Sequence, residues 1–303
     1  MVICPECAER LPGRQALACA KCGWEGTSRE GIATYLSKRD REDPVLREYL
    51  ENYDRIAADD VIESIQDERY LHYQALNLAD VVGRLDGMNV CDVGCGKGFL
   101  AQALLAAGPT TLTVVDIAMT YLRRLAAEHR LEPIVANAEN LPFREAFDVI
   151  VTTDVMEHVL NVGSFLYSVN RALKPGGRAY VRVPFREHLL GYSPFLGCPY
   201  RFVHLRSFDR SILRTYFRTA GFAVERFRLD GFSLNVPHTV WSRGSIRRRL
   251  FAAYSRLVTG WLGDPCKVTR WRRLPVRLFL RPIEITTVAR KVRGLEVRDA
   301  VDR

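Results

Sequence analysis

Residues 88–98 read Met-Asn-Val-Cys-Asp-Val-Gly-Cys-Gly-Lys-Gly and give the clearest indication of the fold. Its apolar run Val90–Val93 predicts a buried strand, and the apolar residues from Phe99 to Ala107 predict a helix. Three glycines at alternate positions stand between them: Gly94, Gly96 and Gly98. Glycines allow close approach of backbone to a ligand, and a helix N-terminus offers free N–H groups. The stretch therefore predicts a strand, a ligand-binding turn and a helix.

Strand and helix patterns alternate downstream of this turn. Four further apolar runs predict strands: Leu112–Val115, Ile134–Ala136, Phe147–Thr152 and Arg178–Val183. A helix is expected over Val162–Leu173 and another over 209–219. Gly221–Phe227 predicts a sixth strand, and the β-branched run Ile283–Ala289 predicts a seventh, antiparallel one. We therefore expect an α/β fold with a seven-stranded, mostly parallel sheet and helices on both faces.

The residues that follow these strands indicate which class of ligand the site binds. Asp116 ends the second strand, 24 residues after Asp92, where an acid accepts hydrogen bonds from ribose hydroxyls in nucleoside-binding sheets. The third strand leads to Asn137-Ala-Glu-Asn-Leu-Pro-Phe143, and the fourth to Asp154-Val-Met-Glu-His158. A dehydrogenase shares the glycine turn, but these later motifs do not fit one.

Together these motifs, with Leu-Lys-Pro-Gly-Gly177, resemble class I S-adenosylmethionine-dependent methyltransferases, especially the branch of the ubiquinone-biosynthesis enzymes. The resemblance covers about residues 45–230 and implies a Rossmann-like domain, here 87–231 with 283–293. It implies that the glycines admit the methionine part of the cofactor, that Asp92 organises the turn, and that Asn137 and the Ala138 N–H meet the adenine. The full set of implied cofactor contacts is Asp92, Gly94, Gly96, Gly98, Asp116, Ile117, Asn137, Ala138 and Asp154.

Methyl transfer requires alignment of nucleophile, methyl and sulfur, and removal of a proton where the nucleophile carries one. His158 follows the fourth strand and His204 lies in the loop after the fifth, so both are catalytic candidates; His188 and Tyr192 are weaker ones. The alternative for each histidine is a structural, hydrogen-bonded imidazole. A similar acid-x-x-Glu-His set binds a divalent cation in ubiquinone O-methyltransferases, which makes Asp154/Glu157/His158 a candidate cation site.

A cysteine module opens the sequence. Cys4-Pro-Glu-Cys7 and Cys19-Ala-Lys-Cys22 are two Cys-x-x-Cys pairs separated by eleven residues. Each pair is typical of a tight knuckle, and two knuckles supply four sulfurs to a tetrahedral ion. We predict a structural zinc ribbon over 1–29, which resembles the ribbons in front of ribosomal-RNA guanine methyltransferases. A redox dithiol and a disulfide framework are the alternatives.

Residues 30–86 are expected to form a helical connector. Leu46, Tyr49 and Tyr53 fall on one face, and Pro44 suits a first helical turn. These helices either pack on the next domain or cover its ligand, with Tyr53 or Tyr70 touching it.

The 303 residues carry a net charge of +9, which is unevenly spread. Residues 1–240 hold 28 basic and 30 acidic side chains, whereas 241–282 hold 11 basic ones and a single acid. No run approaches the ~18 apolar residues of a spanning helix, and the first residues lack the pattern of a secretory signal. A cytoplasmic location is expected, with cysteines as thiols or metal ligands.

Residues 232–282 are expected to form a basic amphipathic insertion between the last two strands. Its interleaved Leu, Phe and Trp residues suit helices with a solvated basic face, an anionic membrane surface or, less well, a nucleic acid. Two functions follow: O-methylation of a small molecule, glycan or lipid-linked intermediate, and methylation of ribosomal or transfer RNA. A non-catalytic binding protein is disfavoured because the cofactor motifs are intact.

Overall fold

One continuous sheet runs through the chain. The computed structural model describes residues 1–13, 15–58, 68–128, 130–187, 189, 200–230 and 282–295. The strands are β1 Thr27–Arg29, β2 Ile32–Thr34, β3 Asn89–Val93, β4 Thr111–Asp116, β5 Leu131–Val135, β6 Phe147–Thr153, β7 Leu173–Pro184, β8 Phe222–Asp230 and β9 Glu284–Lys291. The helices are α1 Lys38–Glu42, α2 Pro44–Ala58, α3 Glu68–Val82, α4 Phe99–Leu105, α5 Met119–Leu125, α6 Val162–Ala172 and α7 Arg210–Thr219.

The strand order is β1-β2-β5-β4-β3-β6-β7-β9-β8. From β2 to β7 every neighbouring pair is parallel, and β9 lies antiparallel between β7 and β8. This confirms the predicted α/β sheet and its antiparallel closing strand. The chain winds from β3 to β4 on one side and to β6 on the other. The carboxyl ends of these three strands therefore border the crevice where open α/β sheets bind ligands.

The strand count differs from the expected seven because a short hairpin extends the sheet. β1 pairs with β2, and β2 lies parallel to β5 through Ala33–Ile134 and Thr34–Val135. The helical prediction for 30–86 is therefore wrong for its first residues. The hairpin turns at Glu30-Gly31, which both have positive φ, of 54° and 79°. The described part of the connector contains the helices α1, α2 and α3, and α2 begins at Pro44 as expected.

The cysteine module shares the core of the sheet. Val2, Cys4 and Leu11 are buried in the same cluster as Phe143 and Phe147. On the opposite face, α3 and α4 pack on the sheet through apolar residues such as Leu78, Leu100 and Leu104. The N-terminal module is thus packed against the rest of the protein as part of one body.

Nearly all of the basic segment 232–282 lies outside the described residues. β8 ends at Asp230, and the described chain resumes at residue 282, just before β9. His188 and Tyr192 also lie outside the described part. Within that part, no helix has both the length and the apolar character needed to cross a bilayer.

Candidate active site

The three glycines of the turn after β3 are needed for two different reasons. All have positive φ: 73° at Gly94, 49° at Gly96 and 81° at Gly98. A Cβ on Gly94 would lie 2.2 Å from Val155 Cγ2, and one on Gly98 would lie 2.3 Å from Leu125 Cδ2. A Cβ on Gly96 would meet no atom of the described residues within 4 Å. Gly94 and Gly98 are therefore required by packing, whereas Gly96 borders open space.

Asp116 ties this turn to the end of β4. Its Oδ2 accepts a hydrogen bond from the Gly96 N–H at 2.9 Å, and its Oδ1 accepts one from the Ala118 N–H, also at 2.9 Å. Burial raises the pKa of Asp116, while backbone N–H groups, including that of Ile117, lower it. The structure thus brings Gly96, Asp116 and Ile117 together, as the sequence predicts.

Asp92 lies beneath the same turn at the end of β3. Its side chain is 1% exposed, and neither carboxylate oxygen has a hydrogen-bond partner among the described residues. Burial, with a smaller contribution from the charge of Asp116, raises the pKa of Asp92 to about 7. A buried carboxyl group without a partner is costly, so it marks a place where a polar ligand group is accommodated.

Asn137 follows β5 and begins the 3₁₀ turn Ala138–Asn140. Its Oδ1 accepts from the Glu139 N–H at 2.9 Å, and its Nδ2 donates to Asp40 Oδ1 at 2.8 Å. The amide expected to meet the adenine is therefore oriented by a carboxylate of α1. Asp40 was missed from the sequence because nothing local links residues 97 positions apart.

Helix α2 and the loop 200–208 lie against each other. The Asn52 side chain donates from Nδ2 to Arg201 O at 2.6 Å and accepts from the Arg201 N–H at 3.1 Å. The Tyr53 hydroxyl donates to Phe202 O at 2.9 Å. Its ring lies edge-on to His158, with 5.8 Å between centroids. The connector thus reaches the site with Tyr53; the side chain of Tyr70 is outside the described residues.

The two catalytic candidates are neighbours. The His158 and His204 rings are 4.7 Å apart. His158 Nδ1 bonds the Val203 carbonyl, and His204 Nδ1 bonds the Glu187 carboxylate. Burial and His204 lower the pKa of His158 to about 3, so its imidazole is neutral.

Glu157 completes a cluster with these histidines. Single ligand atoms of Glu157, His158 and His204 all lie within 4.8 Å of one another. Glu157 is fully buried, and neither carboxylate oxygen has a hydrogen-bond partner within the described residues. Burial, reinforced by Asp154, raises its pKa well above the usual range. Desolvated oxygen and nitrogen ligands of this kind suit a divalent cation.

Asp154 does not belong to that cluster, so the set Asp154/Glu157/His158 is wrong in one member. Asp154 has a φ of 55° and forms an ion pair with Arg182 of β7. Arg182 also lies 3.9 Å from Glu284 and donates to Gln74 at 3.3 Å. This guanidinium holds the Asp154 carboxylate, and His204 stands in the third position. Arg182 was missed, although a charged residue inside the apolar strand Tyr180-Val-Arg-Val183 signals a buried ion pair.

The four module cysteines converge on one point. Cys4 Sγ lies 3.6 Å from Cys22 Sγ, and Cys7 Sγ lies 3.6 Å from Cys19 Sγ. All four sulfurs lie within 4.8 Å of one another. A tetrahedron with metal–sulfur bonds of about 2.3 Å has edges of about 3.8 Å, so the sulfurs fit a zinc ion.

Comparisons with solved structures support the fold described above. Among solved structures, a chain from the complex between the Haloferax volcanii Trm112 methyltransferase activator and a methyltransferase aligns with a TM-score of 0.56. The alignment has 18% identity and covers 80% of this chain and 98% of that one. A SAM-dependent methyltransferase of Thermotoga maritima gives 0.51 at 17% identity, covering 81% and 100%. Both likenesses support the Rossmann-like methyltransferase fold.

Curated relatives match over shorter stretches. The mitochondrial ubiquinone biosynthesis O-methyltransferase of Dictyostelium discoideum is 29% identical over 135 residues, which are 39% of this chain and 42% of the relative. The Pseudomonas putida GB-1 ubiquinone biosynthesis O-methyltransferase is 34% identical over 114 residues, 35% and 48% of the two chains. The chain thus spans less than half the length of these relatives. The family model described as "Methyltransferase domain" matches residues 67–226, more than half of the chain. This protein therefore belongs to the methyltransferase-domain family.

Proposed function

We propose that this protein transfers a methyl group from S-adenosylmethionine to an oxygen of a small molecule, glycan or lipid-linked acceptor. The observation that carries the proposal is the space at Gly96 that no described residue occupies, bordered by Asp116, together with the carboxyl group of Asp92 near the end of β3, which has no partner among the described residues. Carboxylates at the ends of neighbouring parallel strands suit ribose hydroxyls and an ammonium group. Membership of the family supports the same cofactor.

In this proposal, different residues bind different parts of the cofactor. Gly94, Gly96 and Gly98 leave backbone against the methionine part, and Asp92 lies beneath them. Asp116 and Ile117 take the ribose, and Asn137 with the Ala138 N–H takes the adenine; Asp154, held by Arg182, borders the same crevice. When bound, the cofactor supplies an electrophilic methyl group on a sulfonium, so the protein must align the acceptor and accept its proton.

His158 is placed to orient the acceptor hydroxyl, because burial holds the pKa of its imidazole at about 3, too low to retain a proton at neutral pH. Because a carbonyl oxygen only accepts hydrogen bonds, the contact with Val203 O places the His158 proton on Nδ1 and leaves the Nε2 lone pair for an incoming hydroxyl. The Glu187 carboxylate likewise takes the Nδ1–H of His204 and fixes that ring. His158 lies beside Tyr53 of α2, and His204, in the loop 200–208, lies beside His158.

A divalent cation at Glu157, His158 and His204 is the second way to activate the acceptor. The ion would compensate the buried carboxylate of Glu157 and lower the pKa of a bound hydroxyl. Two imidazoles favour Zn²⁺ or another transition metal over Mg²⁺. Metal analysis of purified protein and of a His204→Ala variant tests this: one ion beyond that of the four cysteines, lost in the variant, is expected. Equal metal content in both proteins contradicts it.

Cofactor binding is tested by calorimetric titration with S-adenosylmethionine. Binding is expected in the wild type and is expected to be abolished by Asp116→Ala, which removes the acceptor of two loop amides. Asp86→Ala is the matched control, because Asp86 is an exposed acid that pairs only with Arg84 among the described residues. Absence of binding by the wild type, or equal binding by Asp116→Ala, refutes the proposal.

The four cysteines are proposed to hold structural zinc. Four thiolates close the coordination sphere, so the ion stabilises the module and takes no part in chemistry. About one zinc per chain is expected at these four cysteines, and Cys22→Ser should lose it.

RNA methylation is the alternative function. It differs from the first in the class of acceptor. The net positive charge of 241–282 serves either an anionic membrane or RNA. Helix α7 adds the exposed residues Arg210, Arg214 and Arg218 and the exposed apolar side chains Ile212 and Tyr216. We favour the lipid surface because apolar side chains accompany the charge. Liposome co-sedimentation beside an RNA gel-shift, each across a salt series, separates the functions; RNA binding alone, with a steep salt slope, overturns our preference.

A further inference from the structure

The first knuckle of the cysteine module contacts the 3₁₀ turn of the proposed adenine site directly. Pro5 lies between two of the four cysteines, and its carbonyl accepts a hydrogen bond from Asn140 Nδ2 at 2.8 Å. Ile3 donates its N–H to Pro142 O at 2.9 Å, and Val2 forms an antiparallel bridge with Phe143. The residues on both sides of the knuckle's first cysteine are thus bonded to the segment 140–143.

A second route leads from the same knuckle through helix α1. Glu6 Oε2 accepts the N–H of Lys38, the first residue of α1, at 2.8 Å. Asp40, in the first turn of α1, accepts from the N–H and hydroxyl of Ser37 at 2.9 and 2.7 Å. Its other oxygen accepts from Asn137 Nδ2 at 2.8 Å. Asp40 and Asn137 are both buried, so these bonds are shielded from water.

The two routes close a ring of contacts around the turn Ala138–Asn140. Asn137, just before the turn, is bonded to Asp40, while Asn140, its last residue, is bonded to Pro5. The position of the intervening Ala138 N–H, the proposed adenine contact, is therefore determined from both sides by residues of the module and α1. Both routes originate between Cys4 and Cys7, where the backbone conformation is set by metal ligation.

We propose that the cysteine module positions the adenine end of the cofactor site, so that loading of its four cysteines with metal strengthens binding of S-adenosylmethionine. Asp40 is the positioning residue that links the two. This inference rests on the proposed cofactor and the proposed zinc. It gives the metal an effect on the affinity for the cofactor, which an ion that only stabilises the cysteine module would not have.

Hydrogen exchange tests the positioning without any cofactor. The full chain is compared with and without chelation of its zinc. We expect faster exchange in 137–144 on metal removal, while β3, β4 and β6 keep their protection. Unchanged exchange in 137–144 overturns the proposal. A uniform loss of protection over the sheet overturns it as well, because the metal then supports the whole fold instead of this turn.

Variants that keep all four cysteines test the link to affinity. Asp40→Ala is expected to weaken S-adenosylmethionine binding about tenfold, equivalent to about 1.4 kcal/mol, while zinc content stays at the wild-type value. Asp40→Asn serves if the alanine variant does not fold, and Glu6→Ala is expected to weaken binding by a smaller factor. Glu9→Ala is the matched control, since the Glu9 side chain pairs with Lys21 at the surface.

The outcomes separate this inference from the proposed function. Failure of the zinc-loaded wild type to bind S-adenosylmethionine refutes the proposed function, and the exchange experiment still decides whether the module positions the turn. Wild-type affinity in Asp40→Ala, with the wild type binding normally, refutes the positioning role alone. An equal loss of affinity in Glu9→Ala refutes it too, because the effect is then not specific to the two routes.

Discussion

Alanine at Gly98 should reduce stability more than alanine at Gly96, whereas alanine at Gly96 should weaken cofactor binding more. Both glycines have positive φ, so alanine at either position incurs about 1–2 kcal/mol of backbone strain. At Gly98 the new Cβ also lies 2.3 Å from Leu125 Cδ2 and within 3.1 Å of two further atoms of that side chain. Leu125 is buried, so its side chain must repack around the new methyl group, and overpacking adds about 1–3 kcal/mol. Gly98→Ala should therefore lose about 2–5 kcal/mol of unfolding free energy, and Gly96→Ala about 1–2 kcal/mol.

The binding experiment should give the reverse order among folded proteins. The Cβ of Gly96→Ala enters space that no described residue occupies and that we assign to the cofactor. We therefore expect at least tenfold weaker S-adenosylmethionine binding by Gly96→Ala, although it is the more stable variant. Urea unfolding with an unchanged m-value gives the stabilities, and calorimetry gives the affinities. Wild-type affinity in Gly96→Ala, or a Gly98→Ala as stable as Gly96→Ala, would refute the reasoning.

Three further substitutions test the buried charges. Asp92→Asn should be more stable than the wild type at pH 8, by up to about 4 kcal/mol, because burial raises the pKa of Asp92 to about 7 and its ionisation opposes folding. Urea unfolding should show this gain shrinking as the pH falls below about 7 and vanishing below about pH 3, where the carboxyl group is protonated in both states. Arg182→Met should cost about 3–5 kcal/mol by the same assay, since it leaves acidic neighbours without their buried cation, whereas the exposed Arg178→Met should cost less than about 1 kcal/mol. Glu187→Gln should lower the rate of methyl transfer about tenfold by loosening His204, with affinity for S-adenosylmethionine unchanged in calorimetry.

The parallel sheet and the cysteine cluster could be predicted because their signals are local. A buried strand followed at once by glycines, as at Val93-Gly94, leaves few conformations open, and each Cys-x-x-Cys pair forms its knuckle within four residues. Gly23 has a φ of 69° and directly follows the second knuckle, as the sequence requires. The antiparallel β9 was also predictable, because its β-branched alternation persists over a full strand.

The hairpin β1–β2 could not be predicted, since its stabilisation is not local. Its strands have three residues each, too few for alternation to register, and all three residues of β1 are exposed. What holds β2 is its pairing with β5, about a hundred residues later in the chain. Whether such short segments form strands depends on the sheet edge with which they pair, and their own sequences contain almost no strand pattern.

The same distinction explains the candidate site. Gly96, Asp116 and His158 each follow a strand, so the sequence places them at one edge of the sheet, where the structure has them. Which side chains then meet depends on partners far away in the chain. Asp154 also lies at the predicted edge, but its carboxylate pairs with Arg182, 28 residues later in the chain. The third member of the cluster with Glu157 and His158 is His204. A strand-end motif thus predicts where a charged group lies, whereas the buried opposite charge decides whether that group is available for chemistry.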